Sequence, residues 1–256
     1  MKENKYDNEE FFLKYSQMER SIYGLESAGE WHELKNMLPS FKGKRVLDVG
    51  CGFGWHCRYA VEKEAKYVLG VDISKKMLDK ARELTKSKKI NYECLAIEDL
   101  QIEDEKFDIV ISSLVFHYTK DFDEICKKIY CGLVNYGDFI FSVEHPIFTS
   151  TENQDWIYND EGEIVFWPID NYQNEKIRYT KFLGEEVVKY HRTVTTYINT
   201  LIKSGFRIEQ ISEPKPPNYM IEENIYLKNE LRRPMFLMIA AKKYYNKIYY
   251  IFNVRI

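Results

Sequence analysis

The chain has 256 residues, 45% of them hydrophobic and 30% charged, which is the balance of a soluble globular protein with room for one large, elaborated domain. A net charge of −3 offers no overall attraction to nucleic acid or to an anionic membrane. The opening MKENKYDNEE lacks the apolar stretch of a signal peptide, and no run approaches the roughly 18 apolar residues of a membrane span. The cysteines (Cys51, Cys57, Cys94, Cys126 and Cys131) form no CxxC pair and no metal-binding spacing. The expectation is free thiols, no metal site and a cytoplasmic protein. Aromatic residues are unusually frequent, with 20 Tyr and 15 Phe.

Residues 1–42 read as a helical segment with Phe11, Phe12, Tyr15 and Met18 on one side. From Arg45 to Glu144, short apolar runs alternate with helical periods, the pattern of a parallel sheet flanked by helices. The expected strands are Arg45–Val49, Tyr67–Asp72, Ile90–Leu95, Phe107–Ser112 and Asp138–Val143. Ser74 is placed to cap the helix that carries Met77, Leu78, Ala81 and Leu84. Thr119 is placed to cap one that carries Phe122, Ile125, Cys126, Ile129 and Leu133, ending at Asn135–Gly137.

The alternation breaks over 146–192, where Trp156, Tyr158, Phe166, Trp167, Tyr172, Tyr179, Phe182 and Tyr190 crowd together, and IYNDEGEIVF reads as a hairpin turning at Asn159–Gly162. It resumes with a helix capped by Thr193 and stopped by Gly205, a sixth strand in FRIEQI and a buried seventh at Met235–Ala241. The expected fold is α/β: a Rossmann-like, seven-stranded, mostly parallel sheet with helices on both faces and an inserted β-rich aromatic cap after the fifth strand. The expected division is an N-terminal helical segment 1–42, a core of 43–145 and 193–243, a substrate-covering insertion 146–192 and a C-terminal tail 244–256. The aromatic tail reads as a structural appendage, and monomer and homodimer both remain open.

RVLDVGCGFGWH puts Gly50, Gly52 and Gly54 between a strand and a helix, where glycine lets the backbone turn tightly and a ligand approach its N–H groups. Asp72, at the end of the next strand, suits a carboxylate that accepts from both ribose hydroxyls of an adenosine ligand. A dinucleotide fingerprint would need a third glycine where Trp55 stands, which disfavours a nicotinamide dehydrogenase. With Asp48 at its entrance, the loop suits a cationic amino-acid ligand instead.

VLDVGCGFG, GVDIS and FDIVISSLVFHY, in that order and spacing, resemble three motifs of class I S-adenosylmethionine-dependent methyltransferases, close to the ubiquinone/menaquinone methyltransferase-like, small-molecule branch. The resemblance implies S-adenosylmethionine as cofactor and S-adenosylhomocysteine as product. It implies that Gly50, Cys51, Gly52 and Gly54 wrap the methionine moiety, with Asp48 near its amino group; His56, at the start of the helix after the loop, is placed to approach the cofactor carboxylate. Asp72 would hold the ribose, and Ile73 and Met77 would flank the adenine. Many relatives carry Gly-Asp-Ala-x-x-Leu after the third strand; here Ala96 takes the place of that adenine-reading Asp, so Glu98 or Asp99 would serve, with the Ile97 N–H on the ring.

In such sheets the reaction centre faces residues just past the fourth and fifth strands, here Ser112 and Ser113 through Tyr118, and Glu144 to Pro146. His117 reads equally as a contact to cofactor or acceptor and as a structural hydrogen bonder. Tyr15, Tyr118 and Tyr190 are further acceptor-binding candidates. Glu144, His145 and His191 are the candidate bases, should the acceptor need deprotonation. The expected reaction is methyl transfer by in-line displacement to a small, partly apolar or aromatic acceptor, with no nucleic-acid and no membrane partner. The alternatives are an RNA or protein methyltransferase and a cofactor-binding protein without transfer activity. Ser112-Ser113-Leu114-Val115 lacks the Pro-Pro-aromatic run of amino-methylating nucleobase enzymes, and PPNY at 216–219 follows the sixth strand instead.

Overall fold

The computed structural model describes residues 4–245. Four short parallel strands form its centre: β1 (Arg45–Val49), β2 (Tyr67–Asp72), β3 (Ile90–Cys94) and β4 (Phe107–Ser113). A long β5 (Leu133–Glu144) joins them in parallel. Two hairpins follow, β6–β7 (Ile157–Tyr158, Ile164–Phe166) and β8–β9 (Ile177–Phe182, Glu185–Tyr190), before β10 (Phe206–Ser212) and β11 (Phe236–Lys243) complete the main sheet. Its order is β10-β11-β5-β4-β1-β2-β3, and β11 runs antiparallel to both neighbours. The sheet is therefore seven-stranded, mostly parallel and Rossmann-like, with the extra hairpins emerging after β5 as expected.

The alternation of β-strand side chains decides which residue faces which layer. Leu47, Val49, Val71, Val110 and Phe141 pack on one face, against α6 (Phe122–Gly132) and α8 (Val194–Lys203). Val46, Val68, Ile109, Ile111 and Ile140 pack on the other, against α3 (Trp31–Met37), α4 (Trp55–Glu62) and α5 (Lys75–Leu84). Burial on both faces is why these strands read as unbroken apolar runs. Ser74 caps α5 by accepting from the Met77 N–H at 3.1 Å, and Thr193 caps α8 by accepting from Thr196 N–H.

The chain departs from its local signals in three places. Thr119 does not cap α6; the helix starts at Phe122, and the Thr119 hydroxyl donates to the Phe116 carbonyl at 3.0 Å instead. Asn135–Gly137 does not end that helix. It ends at Gly132, where a Cβ would lie 2.1 Å from Ile102, and β5 starts at once, with a register shift that takes up Asn135–Gly137. Between β10 and β11, where no element was expected, the chain forms α9 (Asn218–Glu223) and a 3-10 stretch, Ile225–Arg232.

The N-terminal segment is helical in pieces: α1 (Glu9–Ser16), α2 (Glu19–Ile22) and 3-10 turns at Lys5–Asp7 and Gly24–Ser27 precede α3. Insertion 146–192 begins with one helical turn, α7 (Pro146–Thr149). Phe11 of α1 meets Phe182 of β8 edge-on at 5.8 Å, so α1 and the β8–β9 hairpin together close over the C-terminal ends of the central strands. Of the tail, residues 246–256 lie outside the described residues. No helix among the described residues is long and apolar enough to cross a membrane.

Candidate active site

Beneath this roof lies a cavity of about 430 Å³. It extends across the strand ends from β3 and β2 (Ile97, Glu98, Asp72, Ile73, Met77), past the glycine loop after β1 (Gly50, Gly52) and the turn after β4 (Ser113, His117, Tyr118), to β5 and the start of β11 (Glu144, Met235, Phe236). Three steps of strand spacing separate β2 from β5, about 14 Å. One end of the cavity therefore belongs to the glycine loop and Asp72, the other to Glu144.

At the first end, the Asp72 carboxylate accepts from the Gly52 N–H at 2.8 Å and the Ser74 N–H at 2.9 Å, which ties loop to helix. Burial raises its pKa. Gly50 has φ +70, and a Cβ there would stand 2.2 Å from Val115, so glycine is needed for the turn and for the approach of the β4 loop. Gly54 serves packing: its missing side chain makes room for the Tyr92 hydroxyl, and it does not line the cavity.

A smaller adjoining cavity of about 70 Å³ shares Tyr15, Arg20, Gly50, Gly52 and Ser113 with the large one and adds Cys51, Trp55 and His56. Arg20 pairs with the buried Glu30 at 3.0 Å. Trp55 Nε1 is buried with no partner among the described residues. Donors, a carboxylate and a bare glycine backbone thus meet where the charged amino-acid end of the cofactor belongs, while Asp72, Ile73, Met77 and Glu98 flank a slot for a nucleoside. These side chains fit S-adenosylmethionine.

Several anticipated site residues lie elsewhere. Asp48 is buried behind the glycine loop, accepts from the Cys57 thiol at 3.1 Å, has its pKa pushed up to about 7 by burial, and reaches neither cavity. Asp99 is exposed and outside the lining, so of the two acids only Glu98 borders the cavity. Ser112 is turned into the sheet and donates to the Val49 carbonyl. Tyr190 does not line the cavity; it packs beside Arg192.

Two candidate bases are corrected as well. His145 caps α7, its Nδ1 accepting from the Ile147 N–H, while Nε2 meets Glu213 at 2.8 Å. His191 sits between Thr149 at 2.7 Å and the Tyr172 carbonyl at 2.9 Å. Neither touches the cavity. Pro146 after His145 turned out to be the N1 residue of a helix, which makes His145 its cap.

Glu144 does line the cavity. Its Oε1 accepts from Lys189 Nζ at 2.7 Å, and Gln154 donates to Oε2 at 3.2 Å. Burial works against this carboxylate; the pull of His117 when cationic, the Lys189 ammonium and the hydrogen bonds outweigh it and hold the pKa below its ordinary value. Burial drives His117 itself down to about 4, so its ring is uncharged near neutral pH. The ring of His117 packs on Tyr118 at 4.3 Å, and Tyr6, Tyr15 and Phe11 complete this part of the wall.

The inserted aromatics mostly do not face the cavity: Tyr158, Phe166 and Tyr179 are exposed. Phe148 and Trp167 stack at 5.1 Å, with Trp156 and the buried Arg233 against them, and of that group only Phe148 reaches the lining. Sequence reasoning missed Tyr6, Arg20, Gln154 and Lys189. The alternating burial of Val187 and Lys189 along β9 is a strand signal, but nothing local marks a lysine as inward-facing.

Comparison with known proteins agrees with this geometry. A family model described as a methyltransferase domain matches residues 47–141. An S-adenosylmethionine dependent methyltransferase structure from Listeria monocytogenes is 53% identical, covering 87% of this chain and 100% of its own, with a TM-score of 0.83. Another from Mesorhizobium loti is 43% identical, covering 86% and 100%, with a TM-score of 0.81. An uncharacterized protein of Haemophilus influenzae is 35% identical over 249 residues, 93% of this chain and 96% of its own length. The chain belongs to the class I S-adenosylmethionine-dependent methyltransferases, and S-adenosylmethionine is its cofactor.

Proposed function

We propose that this enzyme methylates a small, partly apolar acceptor held between the strand ends and the roof. The observation that carries the reading is the cavity itself. Residues of α1 and β8–β9 border it, its volume lies in the range of small-molecule sites, and most of its lining is apolar. In this reading Asp72 and Gly52 hold the ribose, Ile73 and Met77 clasp the adenine with Glu98 at its edge, and Arg20 and Trp55 take the carboxylate of the methionine part. The cofactor supplies a methyl group already activated by positive sulfur. The residues of the chain then align the acceptor and exclude water, which Tyr6, Tyr15, Tyr118, Phe148 and Phe182 are arranged to do. The free thiols of all five cysteines support work in a reducing compartment such as the cytoplasm.

Two measurements test this. Incubation of the protein with methyl-labelled S-adenosylmethionine and fractionated cell extract should place label in the small-molecule fraction. Label confined to RNA or protein, or found nowhere, would overturn the reading. Calorimetry should show S-adenosylhomocysteine binding that weakens by about 10- to 100-fold in Asp72→Ala through loss of charge-assisted hydrogen bonds.

A further inference from the structure

The insertion does more than cover the cavity: it delivers two polar side chains to the carboxylate at the end of β5. Lys189, 2% exposed on the inward face of β9, donates to Glu144 Oε1 at 2.7 Å and to Gln154 Oε1 at 2.8 Å. Gln154 returns a hydrogen bond from Nε2 to Glu144 Oε2. On the other side, His117 Nδ1 accepts from the Glu144 backbone N–H at 3.3 Å, so the proton of the neutral ring sits on Nε2, 4.0 Å from Glu144 Oε1. An ammonium has three N–H donors, and two of those of Lys189 are engaged. The wall therefore presents one accepting carboxylate beside two available donors, in surroundings otherwise apolar at Phe148, Val187 and Phe236.

This arrangement discriminates among nucleophiles. A protonated amine has no lone pair to attack with, a neutral amine would spend its single lone pair on a hydrogen bond from Lys189, and an acceptor carboxylate has no proton to give to Glu144. A thiol is too weak a hydrogen bonder to use either group well. A neutral hydroxyl uses both: it donates to Glu144 and accepts from Lys189 or His117.

Resting on the small-acceptor reading above, we propose that the acceptor is an alcohol or phenol methylated on oxygen, that Glu144 receives its proton, and that Lys189 and Gln154 are positioning residues for Glu144. The acceptor oxygen forms the new bond to the methyl carbon as the carbon–sulfur bond breaks, with its electron pair going to sulfur. The hydroxyl O–H bond breaks and its proton goes to Glu144, then to solvent. Bond formation makes the hydroxyl proton strongly acidic, so a weakly basic carboxylate suffices if it is ionised and in place.

The groups that face Glu144 are Lys189 from β9, His117 and Tyr118 from the turn after β4, Arg233 before β11 and Tyr197 from α8. Of these, Lys189 is the cation in direct contact. Removing it leaves burial of the carboxyl opposed by the Gln154 hydrogen bond, His117 and more distant charge, so Glu144 should then titrate at higher pH.

The test uses the full chain, methyl-deuterated S-adenosylmethionine and a protein-free, nucleic-acid-free cell extract. Products are freed of unreacted cofactor, treated with base to hydrolyse methyl esters, and then heated with hydriodic acid, which releases methyl iodide from methyl ethers. The expected result is deuterated methyl iodide from the small-molecule products, a loss of about 100-fold or more in Glu144→Gln, and an acid limb of the rate profile moved upward in Lys189→Met but restored in Lys189→Arg. S-adenosylhomocysteine affinity and melting temperature accompany each variant, to separate these effects from misfolding. Label in small molecules that hydriodic acid does not release would overturn oxygen methylation and leave the small-acceptor reading standing. An acid limb that stays in place in a folded Lys189→Met would overturn the role of the lysine. Absence of label from small molecules would sink both readings.

Discussion

His56 and His117 are both fully enclosed, and burial drives each to about 4, against about 6.5 in an unfolded chain. Between those two values the unfolded chain binds protons that the folded one refuses, so stability rises with pH across that window. On their account it is constant above about pH 7 and falls as the pH drops from 6.5 toward 4, by up to about 3 kcal/mol for each ring. Urea denaturation from pH 7.5 to 4.5 should show this decline, and His56→Gln should make it shallower. A decline of equal steepness in the variant would mean that His56 protonates within the fold. His56 packs edge-on to Trp31 at 5.6 Å and lines the small cavity rather than the large one, so its replacement probes the fold more than acceptor binding.

At the scale of elements, the end of the insertion is tied to the turn that carries His117. The buried Arg192 donates to the carbonyls of Phe116, Thr119 and Lys120 and lies over the ring of Phe122 at 5.5 Å. The Phe116 carbonyl also accepts from the Thr119 hydroxyl, so the guanidinium matters most for the Thr119 and Lys120 carbonyls between β4 and α6. Arg192→Ala should cost on the order of 3 kcal/mol of stability, read from denaturant titration, and should lower transfer more than cofactor affinity. A cost below about 0.5 kcal/mol would show that water replaces the guanidinium. Thr119 looked like a helix cap because cap chemistry is local, yet the helix begins three residues later, at Phe122, after two carbonyls held by this long-range arginine.

For the whole molecule, the roof can be removed by joining Lys176 to His191. The two residues are already paired, the His191 N–H donating to the Lys176 carbonyl at 3.1 Å, so a short Gly/Ser linker spans the gap. The shortened protein should bind S-adenosylhomocysteine within a few-fold of the intact chain and lose at least 100-fold in methyl transfer, with a thermal melt to verify folding. Full transfer by a folded variant would remove the hairpin from the acceptor site. Loss of cofactor affinity would instead assign it to the cofactor end. The hairpin does not act alone: Tyr6, Phe11 and Tyr15 line the same cavity from the N-terminal side. Asp7 fastens that side to the cofactor end by accepting from the Ser74 hydroxyl at 2.7 Å.

What the sequence determined by itself was whatever is written in local periodicity and loop chemistry. Strands buried on both faces read as apolar runs, Ser74 and Thr193 announce their helices, and the glycine loop followed by Asp72 points to an adenosine ligand with a charged amino-acid end. Which titratable side chains meet in the cavity was decided only by tertiary structure. His145 and His191 looked functional because they stand at element ends, where both capping groups and bases occur, and the fold used them for hydrogen bonds away from the cavity. Asp48 was drawn behind the loop by the alternation of β1. Lys189 and Glu144 are 45 residues apart and meet at 2.7 Å only because a hairpin folds back over the strand ends, a long-range pairing that no local pattern encodes.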